Sequence, residues 1–173
     1  MKSHNRKKVK RILIRLSIFL LILTGICFLW FKLSPWPSTL LIRYAFNKEA
    51  EKVNKQLEKH VPENVRSIHD ISYDAKDKDS KLDIHFPSSI ENTQNTLPLI
   101  IWIHGGGLIS GNKNQVENYC KILASKGFVV ASIDYTIAPE AKYPKPVHQA
   151  NASLAFLIKQ ASQYYIDTTK VVL

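Results

Sequence analysis

Hydrophobic and polar positions divide the chain into stretches of different period. From Ile12 to Leu33 the residues are apolar except for Arg15 near the start and Lys32 near the end. Twenty-two helical residues rise about 33 Å, enough to cross a hydrocarbon core of about 30 Å. Arg15 lies close enough to the start to reach the headgroups, and Trp30 and Trp36 fall where an interfacial aromatic belt belongs. After the proline-stiffened "SPWPS", Thr39–His60 reads as a helix. It is apolar at first (Leu40, Leu41, Tyr44) and charged later, with Val53 and Leu57 as its stripe and Glu51–Lys55 as an ion pair. Ile68–Tyr73 and Lys81–Phe86 read as two strands around the polar turn "DAKDKDS". In the second, Leu82, Ile84 and Phe86 alternate with Lys81, Asp83 and His85, the pattern of a half-buried antiparallel strand.

The period then changes. Leu99–Ile103 is continuously apolar, as a strand covered on both faces should be. Asn114–Lys126 places Val116, Tyr119, Cys120 and Leu123 on one helical face, and Gly127 is suited to cap it. Phe128–Ile133 is a second fully apolar strand. Strand, glycine loop, helix and strand in this order predict a βαβ crossover joining parallel neighbours. "YTIAPEAKYPKP" leads into a helix with Pro146 in its first turn and a buried stripe of Val147, Ala150, Leu154, Leu157, Ile158 and Ala161. "IDTTK" reads as a turn, and Val171–Leu173 as the start of another strand.

Composition changes this picture at one point. The formal charge is +10 over 173 residues. Lys2, Arg6, Lys7, Lys8, Lys10, Arg11, Arg15 and Lys32 account for most of it, and no acid precedes Glu49. Beyond Lys32 the chain is nearly neutral and shows no basic face interleaved with aromatics, so nucleic acid is not the expected partner. A basic cluster before an apolar span predicts a cytoplasmic tail (1–11), a transmembrane anchor (12–33) and an extracytoplasmic remainder on a cell membrane. A cleaved signal peptide would have a shorter apolar region and an A-x-A-like site, which "CFLWFKLSPWP" lacks. The lipid bilayer is thus the partner of Ile12–Leu33. Residues 34–62 form a linker and helix, which reads as a spacer, as a cap over a binding site, or as a helix whose first half rests on the membrane surface. Cys27 falls in the span and Cys120 on a helix, so no disulfide is expected.

The candidate chemistry lies in "IWIHGGGLISG". A glycine run at the carboxyl end of a buried parallel strand occupies the ligand-binding position of open α/β sheets. Its N–H groups can receive a phosphate or the oxyanion of a tetrahedral intermediate. The phosphate motifs fit poorly, because Asn112 stands where a P-loop lysine would follow Gly111. The histidines show no metal-ligand spacing, and no cofactor or metal is expected.

"HGGG" after an apolar strand, Gly111 beyond it, and then "DYTIAPEAKYP" resemble the hormone-sensitive-lipase-like esterases and lipases of the α/β-hydrolase fold. Asp134, Tyr135, Ala138, Pro139, Glu140, Tyr143 and Pro144 match the second motif, and Thr136 replaces its common arginine. The resemblance implies an α/β architecture for 63–173, the N-terminal half of a hydrolase domain. It would be a partial α/β-hydrolase sheet, with a first antiparallel hairpin followed by parallel βαβ units. It implies that Gly106 and Gly107 supply two oxyanion donors, with His104 and Gly105 completing the loop motif. Asp134, Tyr135 and Glu140 would brace the following loop, one Arg–carboxylate contact there being weakened by Thr136. His104 is not the general base, since this fold orders its triad Ser, Asp or Glu, His, all later in the chain. The nucleophile belongs in G-x-S-x-G, which does not occur; Ser110 in "GLISG" is in the wrong place. The expectation is a membrane-anchored ester hydrolase acting on a small-molecule ester, truncated before its nucleophile elbow and inactive alone. The alternative is a non-catalytic anchored binding module derived from the same fold.

Overall fold

The computed structural model describes residues 2–173, with side chains from Lys8 onward. The basic side chains Lys2, Arg6 and Lys7 lie outside the described residues. Two compact units are present, Met1–Leu40 and Leu41–Leu173. The first is dominated by α1 (Lys2–Leu33), whose described apolar side chains are exposed along its length. Its Lys8–Leu33 portion is the one described helix long and apolar enough to cross a membrane, a property that a signal sequence shares. Ser34 and Pro35 interrupt the helical hydrogen bonding, and α2 (Trp36–Leu57) follows at once, so the expected stiff exit segment is mostly helical. Pro37 sits in the first turn of α2, where its missing N–H is not needed.

The second unit is a five-stranded sheet of β1 (Val65–Ser72), β2 (Lys81–Pro87), β3 (Leu97–Ile103), β4 (Val129–Ile133) and β5 (Ile166–Val172), in the order β1-β2-β4-β3-β5. β1 and β4 both pair antiparallel with β2, whereas β3 pairs parallel with β4 and β5. Helix α3 (Glu117–Ala124) joins β3 to β4, and α4 (Lys145–Lys159) joins β4 to β5. Strand alternation divides the core in two. Leu82, Ile84, Leu99, Ile101, Val129, Ala131 and Ile133 pack with Leu157 of α4 on one face. Val130, Ile100 and Trp102 pack with Cys120 and Ala124 of α3 on the other.

Four expectations are corrected. β2 is buried on both faces rather than half-buried, because α3 and the preceding 3₁₀ turn (Lys113–Val116) cover Asp83 and His85. The buried stripe of α4 is Pro146, Gln149, Ser153 and Leu157, while Val147 and Ile158 are nearly half exposed. "IDTTK" is not a simple turn: Ile166 and Asp167 already pair with Leu97 and Pro98. The register then jumps to Leu99↔Val171, extruding residues 168–170 as a bulge. Asp167 Oδ1 accepts from Thr169 N and Oγ1 inside it, so the local turn chemistry exists within a strand. In α2 the inward positions are Arg43, Asn47, Ala50, Asn54 and Leu57, and Val53 points to solvent. The ion pair there is Lys52–Glu49.

Candidate active site

β3 and β4 end side by side, with Ile103 opposite Ile133, so the loops that follow them share one edge of the sheet. From Ile103 the chain turns through His104–Gly111. Gly106 adopts φ +116° and Gly107 φ +62°, and the turn closes when Ile109 N and Ser110 N donate to Gly106 O. A Cβ on Gly106 would lie 2.6 Å from Ser110 C and overlap its carbonyl oxygen. Gly111, at φ +98°, brings the returning chain so close that a Cβ would overlap Gly105 O and His104 Nδ1. At Gly105 and Gly107 a Cβ would meet open space, leaving that rim accessible to a ligand. Among the described residues, the amides of Gly106 and Gly107 find no protein acceptor.

The residues singled out in the sequence converge on this turn. His104 is buried, its ring stacks on Tyr135 at 4.2 Å, and its Nδ1 lies 2.9 Å from Gly105 O. Burial lowers its pKa, with the Gly105 carbonyl and Asp134 opposing weakly. Tyr135 Oη donates to His104 O at 2.8 Å, tying the β4 loop to the β3 loop. Asp134 Oδ1 accepts from Lys113 N at 2.7 Å, and burial raises its pKa. Ser110 is buried, with its Oγ turned back on Gly106 O at 3.2 Å.

The Arg–carboxylate contact expected to weaken at Thr136 is instead made from a different element. Arg43 of α2 binds both carboxylate oxygens of Glu140, Nη1 to Oε1 at 2.8 Å and Nη2 to Oε2. The same guanidinium donates to Ile109 O at 2.6 Å and Ala138 O at 2.5 Å, so one side chain clamps both loops. Hydrogen bonding to Arg43 holds Glu140 below its ordinary carboxylate range. Asn47 Oδ1 accepts from Gly111 N, and Asn54 exchanges hydrogen bonds with Asn114 and Asn118. Thr136 has its own network: its N–H donates to Gln149 Oε1 at 2.9 Å and its hydroxyl to Asp79 Oδ2 at 2.9 Å.

Behind the loop, Lys113 Nζ is buried between Asp83 Oδ1 at 2.9 Å and Asp70 Oδ1 at 3.0 Å. Burial works against its charge, but the bonds to Asp83 and Asp70 outweigh it and raise the pKa. Beside Leu108 lies an apolar pocket of about 280 Å³ lined by Ile103, Leu108, Tyr135, Val147, Ala150 and Leu154. The exposed part of the α4 stripe forms one wall of it. Sequence reading missed Arg43, Asn47 and Lys113. The i, i+4, i+7, i+11 recurrence of Arg43, Asn47, Ala50 and Asn54 was available, but a polar stripe reads as a solvated face.

A mixed sheet in this order, with a glycine turn after β3 and a braced loop after β4, defines an α/β-hydrolase. The chain belongs to the BD-FAE family, whose model matches residues 82–173 and so runs through both motifs. The chain is also similar to the crystal structure of esterase B from Lactobacillus rhamnosis (28% identity, TM-score 0.66), covering 78% of this chain and 43% of that one. The bacterial heroin esterase is similar at 26% identity and TM-score 0.58, over 75% of this chain and 39% of that one. The esterase from Pyrobaculum calidifontis, at 24% identity and TM-score 0.60 over 77% and 41%, shows the shared fold. The chain thus spans under half the length of each. The resemblance read from "HGGG" and "DYTIAPEAKYP" is borne out.

Proposed function

We propose that this chain supplies the oxyanion-binding half of a membrane-anchored carboxylic-ester hydrolase, with Ile12–Leu33 as the anchor in a cell membrane. The observation that carries the reading is the Gly106–Gly107 turn, whose amides find no acceptor among the described residues and which runs into Leu108 of an apolar pocket. In this reading the amides receive the negative oxygen of a tetrahedral intermediate, and the pocket takes an apolar part of a small-molecule ester. Such donors act on charge that appears only in the transition state, so losing one typically costs about 10²–10³ in rate. His104, Asp134, Tyr135, Glu140 and Arg43 hold the turn in place and transfer no proton. Esterase B supports the reading, since it is described in complex with a tributyrin phosphonate inhibitor.

No G-x-S-x-G occurs in the 173 residues, so the proposal places the attacking serine outside them. The test joins residues 1–173 to the C-terminal portion of esterase B that follows its own equivalent of β5. The chimaera should hydrolyse p-nitrophenyl esters and label with a fluorophosphonate, and residues 1–173 alone should do neither. Gly106→Pro in the chimaera, which removes one donor and cannot adopt the φ of +116° found there, should abolish most turnover. A chimaera that folds and labels but is indifferent to Gly106→Pro would overturn the oxyanion role. Stoichiometric labelling of Ser110 in residues 1–173 would overturn the placement of the nucleophile. A folded chimaera that neither labels nor turns over would favour a non-catalytic binding module.

A further inference from the structure

Helix α2 carries two different surfaces in the same turns. Arg43 and Asn47 point inward and hold the glycine loop. Around them, Leu41, Ile42, Tyr44 and Phe46 are exposed, at 62%, 39%, 70% and 58%. Four large apolar side chains within six residues form a contiguous patch, which is not the scattering of single apolar residues normal on a soluble surface. Arg43 is the one charged residue between Trp36 and Asn47, and it is spent on Glu140 and two loop carbonyls. Beyond Asn47 the exposed surface changes character to Lys48, Glu49, Glu51, Lys52 and Lys55, with Val53 as the apolar exception.

The chain itself indicates what covers the patch. Ser34 and Pro35 alone separate α1 from α2, so at most about 11 Å of chain lies between Leu33 and Trp36. If α1 spans a bilayer, α2 begins at its surface. The headgroup layer on each side of the hydrocarbon is about 5–8 Å deep, and interfacial helices bury their apolar parts to about 5–10 Å. Val53 and Arg43 apart, the exposed apolar side chains of α2 lie in its first half, next in the chain to α1, and its charged side chains lie in the second half.

We propose that Leu41–Phe46 is an interfacial segment seated in the headgroup layer of the bilayer that holds α1, so that the helix clamping the oxyanion loop lies on the membrane surface. The proposal rests on the reading of α1 as a membrane anchor. It assigns lipid as the partner of this surface.

The test uses the full chain in phosphatidylcholine–phosphatidylglycerol vesicles, in a Cys27→Ala background. Cys120 does not compete for label, being fully buried with its thiol pushed up to about 12 by burial. An environment-sensitive fluorophore is placed in turn at Leu21→Cys, Tyr44→Cys, Phe46→Cys and Lys52→Cys. All four side chains are exposed, so labelling disturbs no packing, and circular dichroism verifies the fold of each variant. Emission from positions 44 and 46 should shift to the blue and be quenched more by shallow than by deep doxyl-labelled lipid. Position 21 should show the opposite depth, and position 52 neither shift nor quenching. Positions 44 and 46 as wet as 52, with 21 still deep, would overturn the interfacial segment and leave the anchor standing. An unquenched position 21 would remove the anchor reading and this proposal with it. A blue shift at 44 and 46 that grows with protein-to-lipid ratio, without lipid quenching, would assign the patch to a second copy of the chain and overturn the proposal.

Discussion

Replacing the glycines of "HGGG" one at a time by alanine should give unequal results, although the sequence presents them as a uniform run. At Gly106 the new Cβ meets the carbonyl group of Ser110, which is backbone and cannot swing aside. Overpacking of this kind costs about 1–3 kcal/mol. The positive φ adds about 1–2 kcal/mol for an L-residue. The sum is roughly 2–5 kcal/mol, a large share of the 5–15 kcal/mol that holds a typical domain folded. At about 2–4 °C per kcal/mol for a chain of this length, Gly106→Ala should lower Tm by roughly 5–20 °C. Gly107→Ala pays only for its left-handed φ, about 1 kcal/mol. Gly105→Ala meets open space at an ordinary φ and should lie within about 0.5 kcal/mol of wild type. The assay is thermal unfolding in detergent micelles followed by near-UV circular dichroism, to which Trp102 packed on Tyr119 at 4.9 Å should contribute. Equal Tm values for the Gly105 and Gly106 variants would refute the assigned loop geometry.

Two further predictions concern groups buried on the α3 side of the sheet. Lys113→Met leaves Asp83 buried with only the Asp70 amide and the half-exposed His69, at 3.2 Å, for partners. It should cost about 3 kcal/mol, and the double variant with Asp83→Leu should recover much of that; a loss under about 1 kcal/mol in urea unfolding would contradict the pairing. His85 is fully buried, and burial pushes its pKa down to about 4 from an unfolded value near 6.5. Burial makes its charged form costlier than its neutral form in the folded protein, so stability should be flat above about pH 6.5. It should then fall as pH drops toward 4, by about 3 kcal/mol at most. His85→Gln should flatten that limb when midpoints are measured against pH, and an unchanged slope would show that other groups cause it.

Features that depend on short-range covalent order were legible in the sequence. The apolar span, the βαβ order, the glycine turn and its partner motif "DYTIAPEAKYP" each carry their signal within a few neighbouring residues. Periodicity there is set by local backbone geometry, and the glycines at positions 106 and 111 answer to φ values that their own turn demands. It was the family resemblance carried by "HGGG" and "DYTIAPEAKYP" that gathered Gly106, Gly107, His104, Asp134, Tyr135 and Glu140 into one candidate site from sequence.

Tertiary structure decided which side of each element is inside. Asp83 and His85 alternate with apolar residues as if facing water, yet α3 and the turn before it close that face, and Lys113 of the turn binds Asp83. The apolar positions Val147 and Leu154 of α4 line an open pocket, while Gln149 turns inward to hold Thr136. Arg43 lies 97 positions from Glu140, and nothing in its own helix announces the carboxylate it will meet. A pattern of polarity records how much water a position tolerates when nothing else is near. Only packing supplies the opposite charge, carbonyl or amide that lets a polar side chain be buried, and those partners come from elements far away along the chain.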